Sequence, residues 1–289
     1  MAWRIIVAAL LSATLARDAP LMRDARWTEA SPALARDLTH APGECLGDTN
    51  DEVELGRALF RSSILLGGPA ARIGLSCHSC HANGRVNARF LLPELTDRAG
   101  AADVTSEWAS AVRGDGVMNP RAIPDLVDAG ARDAFGMGRD PSLEHFVTSV
   151  ITEEFQGAPP RPRAFAALIA YIRALRAPSC PAEAETRLTL SDAADDVRRA
   201  LAASEASGDE ASAHLARFAA RERIGFIVER LPPSRFARAR RELEHLARDL
   251  IAAPANQAWH ARFDAAARRL ERRERETYFN ERTLARALE

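Results

Sequence analysis

The chain has no lysine. All 39 of its basic residues are arginine, a pattern we read as codon usage with no functional content. Its formal net charge is −1, so no overall basic field recruits nucleic acid or anionic lipid. Beyond the first sixteen residues no apolar run is long enough to span a bilayer, which excludes a polytopic membrane protein. Cysteine is scarce. There are four, at Cys45, Cys77, Cys80 and Cys180, and each calls for a role.

What is present begins with the N-terminus, MAWRIIVAALLSATLARDAP. Arg4 supplies a positive n-region, and Ile5 to Leu11 an apolar h-region. Small residues around Thr14 and Ala16 suit a signal peptidase. This reads as a secretory signal over 1–16, cut after Ala16, and the run is too short to serve as an uncleaved anchor through a roughly 30 Å core. The expected location is a bacterial periplasm, where disulfides form.

Cys77-His78-Ser79-Cys80-His81 fits C-x-x-C-H, the attachment pattern of c-type haem. Two thiols at that spacing reach the two vinyl groups of one haem. The histidine after the second cysteine is then carried under the iron as its proximal ligand. Two rivals share the motif. A tetrahedral zinc site needs a second ligand pair, and the chain has none. A redox dithiol belongs at a strand-to-helix junction, and no alternating, β-branched strands surround it. Within the motif, His78 reads as a solvent-facing spacer.

Upstream, TNDEVELGRALF carries a helix signal, with Thr49 and Glu52 as a capping box. Val53, Gly56, Leu59 and Phe60 share its apolar face. Downstream, Pro160 to Arg176 predicts a second helix, striped by Phe165, Leu168, Ile169, Ile172 and Leu175. A Gly-x-x-Leu-Phe helix, then C-x-x-C-H, then a Leu-Ile-Ala-Tyr-Ile helix resembles the cytochrome c family. The resemblance implies that the two helices cross, with Gly56 against Tyr171. Single halves of the bacterial dihaem cytochrome c peroxidases are also similar, through ELGRALF, GLSCHSCH and AIPDLVDAGARDAFGMGRDPSLEHF in that order. That family has two haem motifs where this chain has one, so the internal electron relay is absent.

The resemblance implies a monohaem protein whose sixth iron position decides its role. A carrier fills that position, most often with methionine, and an enzyme leaves it open. Two methionines follow the motif. Met137 stands 56 residues after His81 between Gly136 and Gly138, and Met118 is the alternative. His145 is expected to be a packed or surface residue of a helix. The proximal histidine should donate its second ring nitrogen to a carbonyl, with Pro93 as the candidate. Arg72, Arg85, Arg121 and Trp108 are near enough in sequence to be considered for haem propionates. If the helices cross as in the family, Cys45 and Cys180 meet at the domain edge as a disulfide.

From Pro181 the character changes. SCPAEAETRLTLSD reads as a linker, followed by helical segments over Asp192 to Ser207, Asp209 to Leu231, Ser234 to Ala253, and Ala255 to Leu288. Twenty arginines and nineteen acidic residues between 181 and 289 suit solvated helix faces, not a nucleic-acid patch. The expected architecture is all-α: a signal peptide (1–16), an N-terminal extension (17–47), a cytochrome c-like haem domain (48–180) and a helical hairpin or small bundle (181–289). The expected function is electron transfer to a redox partner protein through one covalent haem c. A peroxidase-like enzyme with an open sixth position and a haem-based sensor are the alternatives.

Overall fold

The computed structural model describes residues 20–136 and 140–289. The signal segment expected over 1–16 and Met137 lie outside the described residues.

The chain is mostly helical, with eleven α-helices among the described residues. The N-terminal extension contributes α1 (Leu34–Asp37) and a short strand, β1 (His40–Pro42). Next comes α2 (Asp51–Phe60), whose cap is Asn50: its side chain accepts from Val53 N–H at 2.9 Å. The expected cap, Thr49, is displaced by one residue, because the helix starts at Asp51 and the Asn50 oxygen accepts from the third helical amide, Val53 N–H. Two short helices follow, α3 (Gly68–Ile73) and α4 (Cys77–Cys80). Among the described residues, the long stretch after them holds two 3-10 turns, Ala82–Gly84 and Ala129–Ala131, and a small ribbon, β2 (Ala101–Ala102) antiparallel to β3 (Arg121–Ala122). Then α5 (Leu143–Ser149) runs into a π turn, Val150–Glu154, ahead of α6 (Pro162–Ala174).

Helices α2 and α6 cross where Gly56 meets Ala167 and Tyr171. A Cβ on Gly56 would stand 1.9 Å from Ala167 O and 2.9 Å from Tyr171 Cβ, so only glycine allows this approach. The Phe60 and Tyr171 rings sit 5.0 Å apart beside the crossing. Val53, Leu59, Leu168, Ile169 and Ile172 are buried around it, as the apolar stripes require.

The segment read as a linker is partly strand. β4 (Glu185–Arg187) pairs antiparallel with β1, placing Ala41 opposite Thr186. A polar composition concealed this, because the pairing depends on a partner 145 residues earlier in the chain. The helical region then comprises α7 (Leu190–Ala206), α8 (Glu210–Glu229), α9 (Pro233–Ala252), α10 (Gln257–Glu271) and α11 (Glu281–Leu288). The single helix expected over Ala255 to Leu288 is therefore broken at 272–280. There Thr277, Tyr278 and Phe279 are buried, and Tyr278 N–H donates to Arg230 O at 2.9 Å. Burying two aromatic rings outweighs continuing the helix.

The helical region does not stand apart. Ala203 of α7 and Ala216 of α8 belong to the apolar cluster of the α2–α6 crossing, and Ala58 of α2 packs on the α7–α10 core. The N-terminal extension closes the far end: Met22, Ala35 and Leu38 pack against Tyr278 and Leu284. Arg230, fully buried, donates to Asp24 Oδ2 at 2.6 Å and Leu38 O at 3.1 Å while stacking on Phe226. No helix among the described residues is long and apolar enough to cross a membrane.

Candidate functional site

The motif residues form the one-turn helix α4. Ser76 and Ser79 cap it reciprocally: each side chain bonds the other's backbone N–H. His81 follows, its N–H donating to Cys77 O at 2.9 Å. The chain then turns through Asn83 and Gly84, both at positive φ (54° and 75°). Asn83 tolerates that conformation because its side chain is bonded on both sides. It donates to Pro42 O at 2.8 Å and accepts from Arg61 at 2.8 Å. Asn87 closes the turn, with its N–H on Cys80 O (2.9 Å) and its side-chain amide on Ser79 O (2.8 Å).

Cys77 and Cys80 are not bridged to each other. Burial pushes the Cys77 thiol up to about 11, and Cys80 higher still, with the neighbouring Cys77 adding to the rise. Redox dithiols work through a depressed, thiolate-forming pKa, so this pair lacks that character. Among the described residues no three His, Cys, Asp or Glu side chains converge as a metal-holding group. Cys45 and Cys180 are joined as a disulfide, the pairing that the resemblance implied. It ties the entry of α2 to the chain beyond α6, and it suits an oxidising compartment.

His81 Nδ1 lies 3.0 Å from the carbonyl oxygen of Pro124. With that carbonyl as acceptor, the neutral ring carries its proton on Nδ1 and leaves Nε2 free. Burial holds the ring neutral, its pKa lowered to about 4 against the opposing pull of Pro124 and Asp125. The expected acceptor, Pro93, is instead exposed in a turn. The correction has a topological cause. The β2–β3 ribbon brings residue 124 back to the motif: Ile123 N–H bonds Gly100 O, and Leu126 N–H bonds Gly84 O. Counting from the motif finds Pro93; only the ribbon reveals Pro124.

His78 is not a solvent-facing spacer. It is half-buried, and its Nδ1 accepts from Asn83 N–H at 3.1 Å. Burial, with Arg61 and Arg223 nearby, depresses its pKa to about 3. Behind it lies a buried ionic network. Glu44 is bound by Arg57 (2.5 Å) and Arg61 (3.0 Å), and it accepts from Tyr171 Oη at 2.7 Å. Asp196 of α7 is shared by Arg61 (3.2 Å), Arg199 (2.6 Å) and Arg223 (2.9 Å). Burial alone would raise Glu44, but the two arginines hold it down to about 2.

The other expected residues scatter. Met118 is half-exposed on a loop with Val112 and Val117, whose outer stretch 111–119 faces solvent. That loop is anchored through Asn119 N–H on Asp103 and Arg98 on Pro120 O. Met137 lies outside the described residues; its flanks, Phe135 and Asp140, exchange two backbone hydrogen bonds. His145 is exposed and paired with Asp140. Arg85 binds Asp125 beside Pro124 at 2.5 Å, Arg72 and Arg121 are exposed, and Trp108 packs partly buried near Leu75 and Phe90.

The donor set fits a covalently held haem: two unbridged protonated thiols three residues apart, and a neutral imidazole with a free Nε2 held by a backbone carbonyl. In comparisons with known proteins, no family model, no characterised sequence and no solved structure matches this chain.

Proposed function

We propose that the chain is an exported monohaem c-type cytochrome that carries electrons in a bacterial periplasm. The haem, once bound, supplies the one-electron iron chemistry. Cys77 and Cys80 would tether it as thioethers, and His81 Nε2 would be the proximal ligand. The hydrogen bond from His81 Nδ1 to Pro124 O is the observation that carries the reading. It fixes the tautomer and orients the ring, as the outer partner of a ligating histidine does. Asn83 and Asn87 hold the backbone turn that carries the ring. Met137, or alternatively Met118, would supply a second ligand to the iron. The partner is another redox protein.

The test is expression in a host with c-type haem maturation. One covalently bound haem per chain is expected, read as a pyridine haemochrome and as a mass increase. A haem-free product, or one released by acid acetone, sinks the proposal. The oxidised spectrum then separates carrier from enzyme or sensor. A low-spin spectrum with the weak long-wavelength band of methionine ligation is expected, abolished in either Met137→Ala or Met118→Ala. A five-coordinate high-spin spectrum transfers the reading to a haem enzyme, and a spectrum that shifts with a gas or small ligand to a sensor.

A further inference from the structure

The near-neutral charge of the chain conceals an uneven distribution. Residues 233–276, which hold α9 and α10, carry eleven arginines and seven acidic residues in a chain of net charge −1. The packing of the two helices sorts the paired charges from the unpaired. Glu242 of α9 receives Arg269 of α10 through two bonds of 2.8 Å, and seven residues further on Asp249 pairs with Arg262 at 3.3 Å. These partners stand seven apart on both antiparallel helices, so they form one seam. Glu276 continues it, held by Arg273 at 2.7 Å and drawn also by Arg235.

Outside the seam lies a second row. Arg238, Arg241, His245 and Arg248 follow one another at three, four and three residues, which puts them on one side of α9 over about 15 Å. All four are exposed, and among the described residues the three arginines have no hydrogen-bond or ion-pair partner. Glu244, the one other carboxylate of α9, is half-buried and pairs with none of them. The opposite side of the helix is core, through Phe236, Leu243, Leu246 and Leu250. Just past Arg248 the helix ends in an exposed, uncharged corner, 251–254, where Ile251 is 61% exposed.

A row of unpaired guanidiniums suits a partner that presents many anionic oxygens. A protein interface draws its affinity from an apolar or aromatic anchor at its centre. Here Phe236, Trp259 and Phe263 are all buried and unavailable for that role. A phospholipid surface asks for less. Arginine forks match phosphate, and an aliphatic side chain at the end of the row reaches the acyl boundary. For the exported protein of the proposed function the phosphate surface at hand is a bilayer, and that choice rests on the export reading. We propose that this side of α9 docks on an anionic phospholipid bilayer, with Arg238, Arg241 and Arg248 on lipid phosphates and Ile251 in the boundary beneath them.

Co-sedimentation of the purified chain, signal segment removed, with phosphatidylcholine vesicles containing either no phosphatidylglycerol or about one-third of it tests this. Binding to the anionic vesicles is expected, weakened by salt, with little binding to the neutral ones. The triple variant Arg238→Gln, Arg241→Gln, Arg248→Gln should bind about a hundredfold more weakly, since each arginine near an anionic surface contributes about fivefold. Its circular dichroism should match the wild type, because the three side chains bond to nothing in the fold. Ile251→Ser should cost about tenfold and leave the salt dependence as it was. Arg161→Gln with Arg173→Gln removes exposed charge at the two ends of α6 and should leave binding within about twofold. Absence of binding to anionic vesicles, equal binding to neutral ones, or a triple variant that binds like the wild type overturns the proposal. So does tighter binding to poly-L-glutamate or duplex DNA at the same salt, which would give the face to an acidic protein or to nucleic acid. The measurement needs no haem, so a haem-free chain that binds anionic vesicles would fail the cytochrome reading and keep this one.

Discussion

Residues 81–142 and residues 190–271 are opposite ways of ordering a chain. The second stretch is four helices, three of them opened by a local cap. Thr189, Asp209 and Asn256 each accept from the amide three residues on. The described residues of the first stretch have little regular structure, yet they position the candidate ligand. Beside an apolar cluster around Phe90 and Leu95, it is closed on itself by long-range bonds, such as His81 to Pro124 and Gly84 to Leu126. Local bonds are numerous and each replaceable; long-range bonds are few and each closes a large loop. The chemistry-bearing half should therefore be broken by single substitutions that the helical half would absorb.

The largest expected effect is at Gly56. In Gly56→Leu the new side chain meets the Ala167 backbone, which cannot yield as a side chain can. Overpacking of this kind costs about 3 kcal/mol or more, and cooperative thermal unfolding should be lost. A melt within a few degrees of wild type would disprove the close crossing. Next is the disulfide, which spans a separation of 135 residues. The double variant Cys45→Ser, Cys180→Ser should lose about 2–4 kcal/mol, read as a lower denaturant midpoint. Third is Glu44→Gln, which removes the charge shared by Arg57 and Arg61 in a buried site, leaving Arg57 with Glu54 and Arg61 with Asp196, and should cost about 1–3 kcal/mol in chemical denaturation. The pH dependence carries its own sign. Folded Glu44 titrates at about 2, below an ordinary carboxylate, so the unfolded chain takes the proton first as pH falls. The stabilisation is complete above about pH 4.5 and disappears toward pH 2, and the variant should lose that part of its acid sensitivity.

How much of this was legible follows the same division. The α2 and α6 faces and the C-terminal helix pattern were readable, because helical periodicity and caps are local properties; the crossing at Gly56 was what the resemblance implied. The Cys45–Cys180 pairing needed only a resemblance that puts both helix ends together. Pro124 was not readable, since nothing near His81 encodes a ribbon that closes through residues 101 and 122. His78 was misjudged for a related reason. Its surroundings come from Arg61 on α2 and Arg223 on α8, and no window around the motif contains them. The break at 272–280 was missed because it contains neither proline nor glycine; the cause is a docking surface on the N-terminal extension.

The smallest effect sharpens the comparison most. Thr189 accepts from Asp192 N–H at 3.0 Å, and Asn256 accepts from Trp259 N–H at 2.9 Å. Replacing either with alanine removes one partner of one free amide and should cost about 1 kcal/mol. The caps belong to different helices and share no hydrogen-bond partner, so the double variant should cost the sum within about 0.5 kcal/mol. Additivity in denaturant titrations would mean that the helical region is stabilised by independent local terms. A double variant that loses much more than the sum would mean that the buried Asp196 network makes the two halves one cooperative unit down to their helix ends. The contrast between local and long-range order would then be one of appearance only.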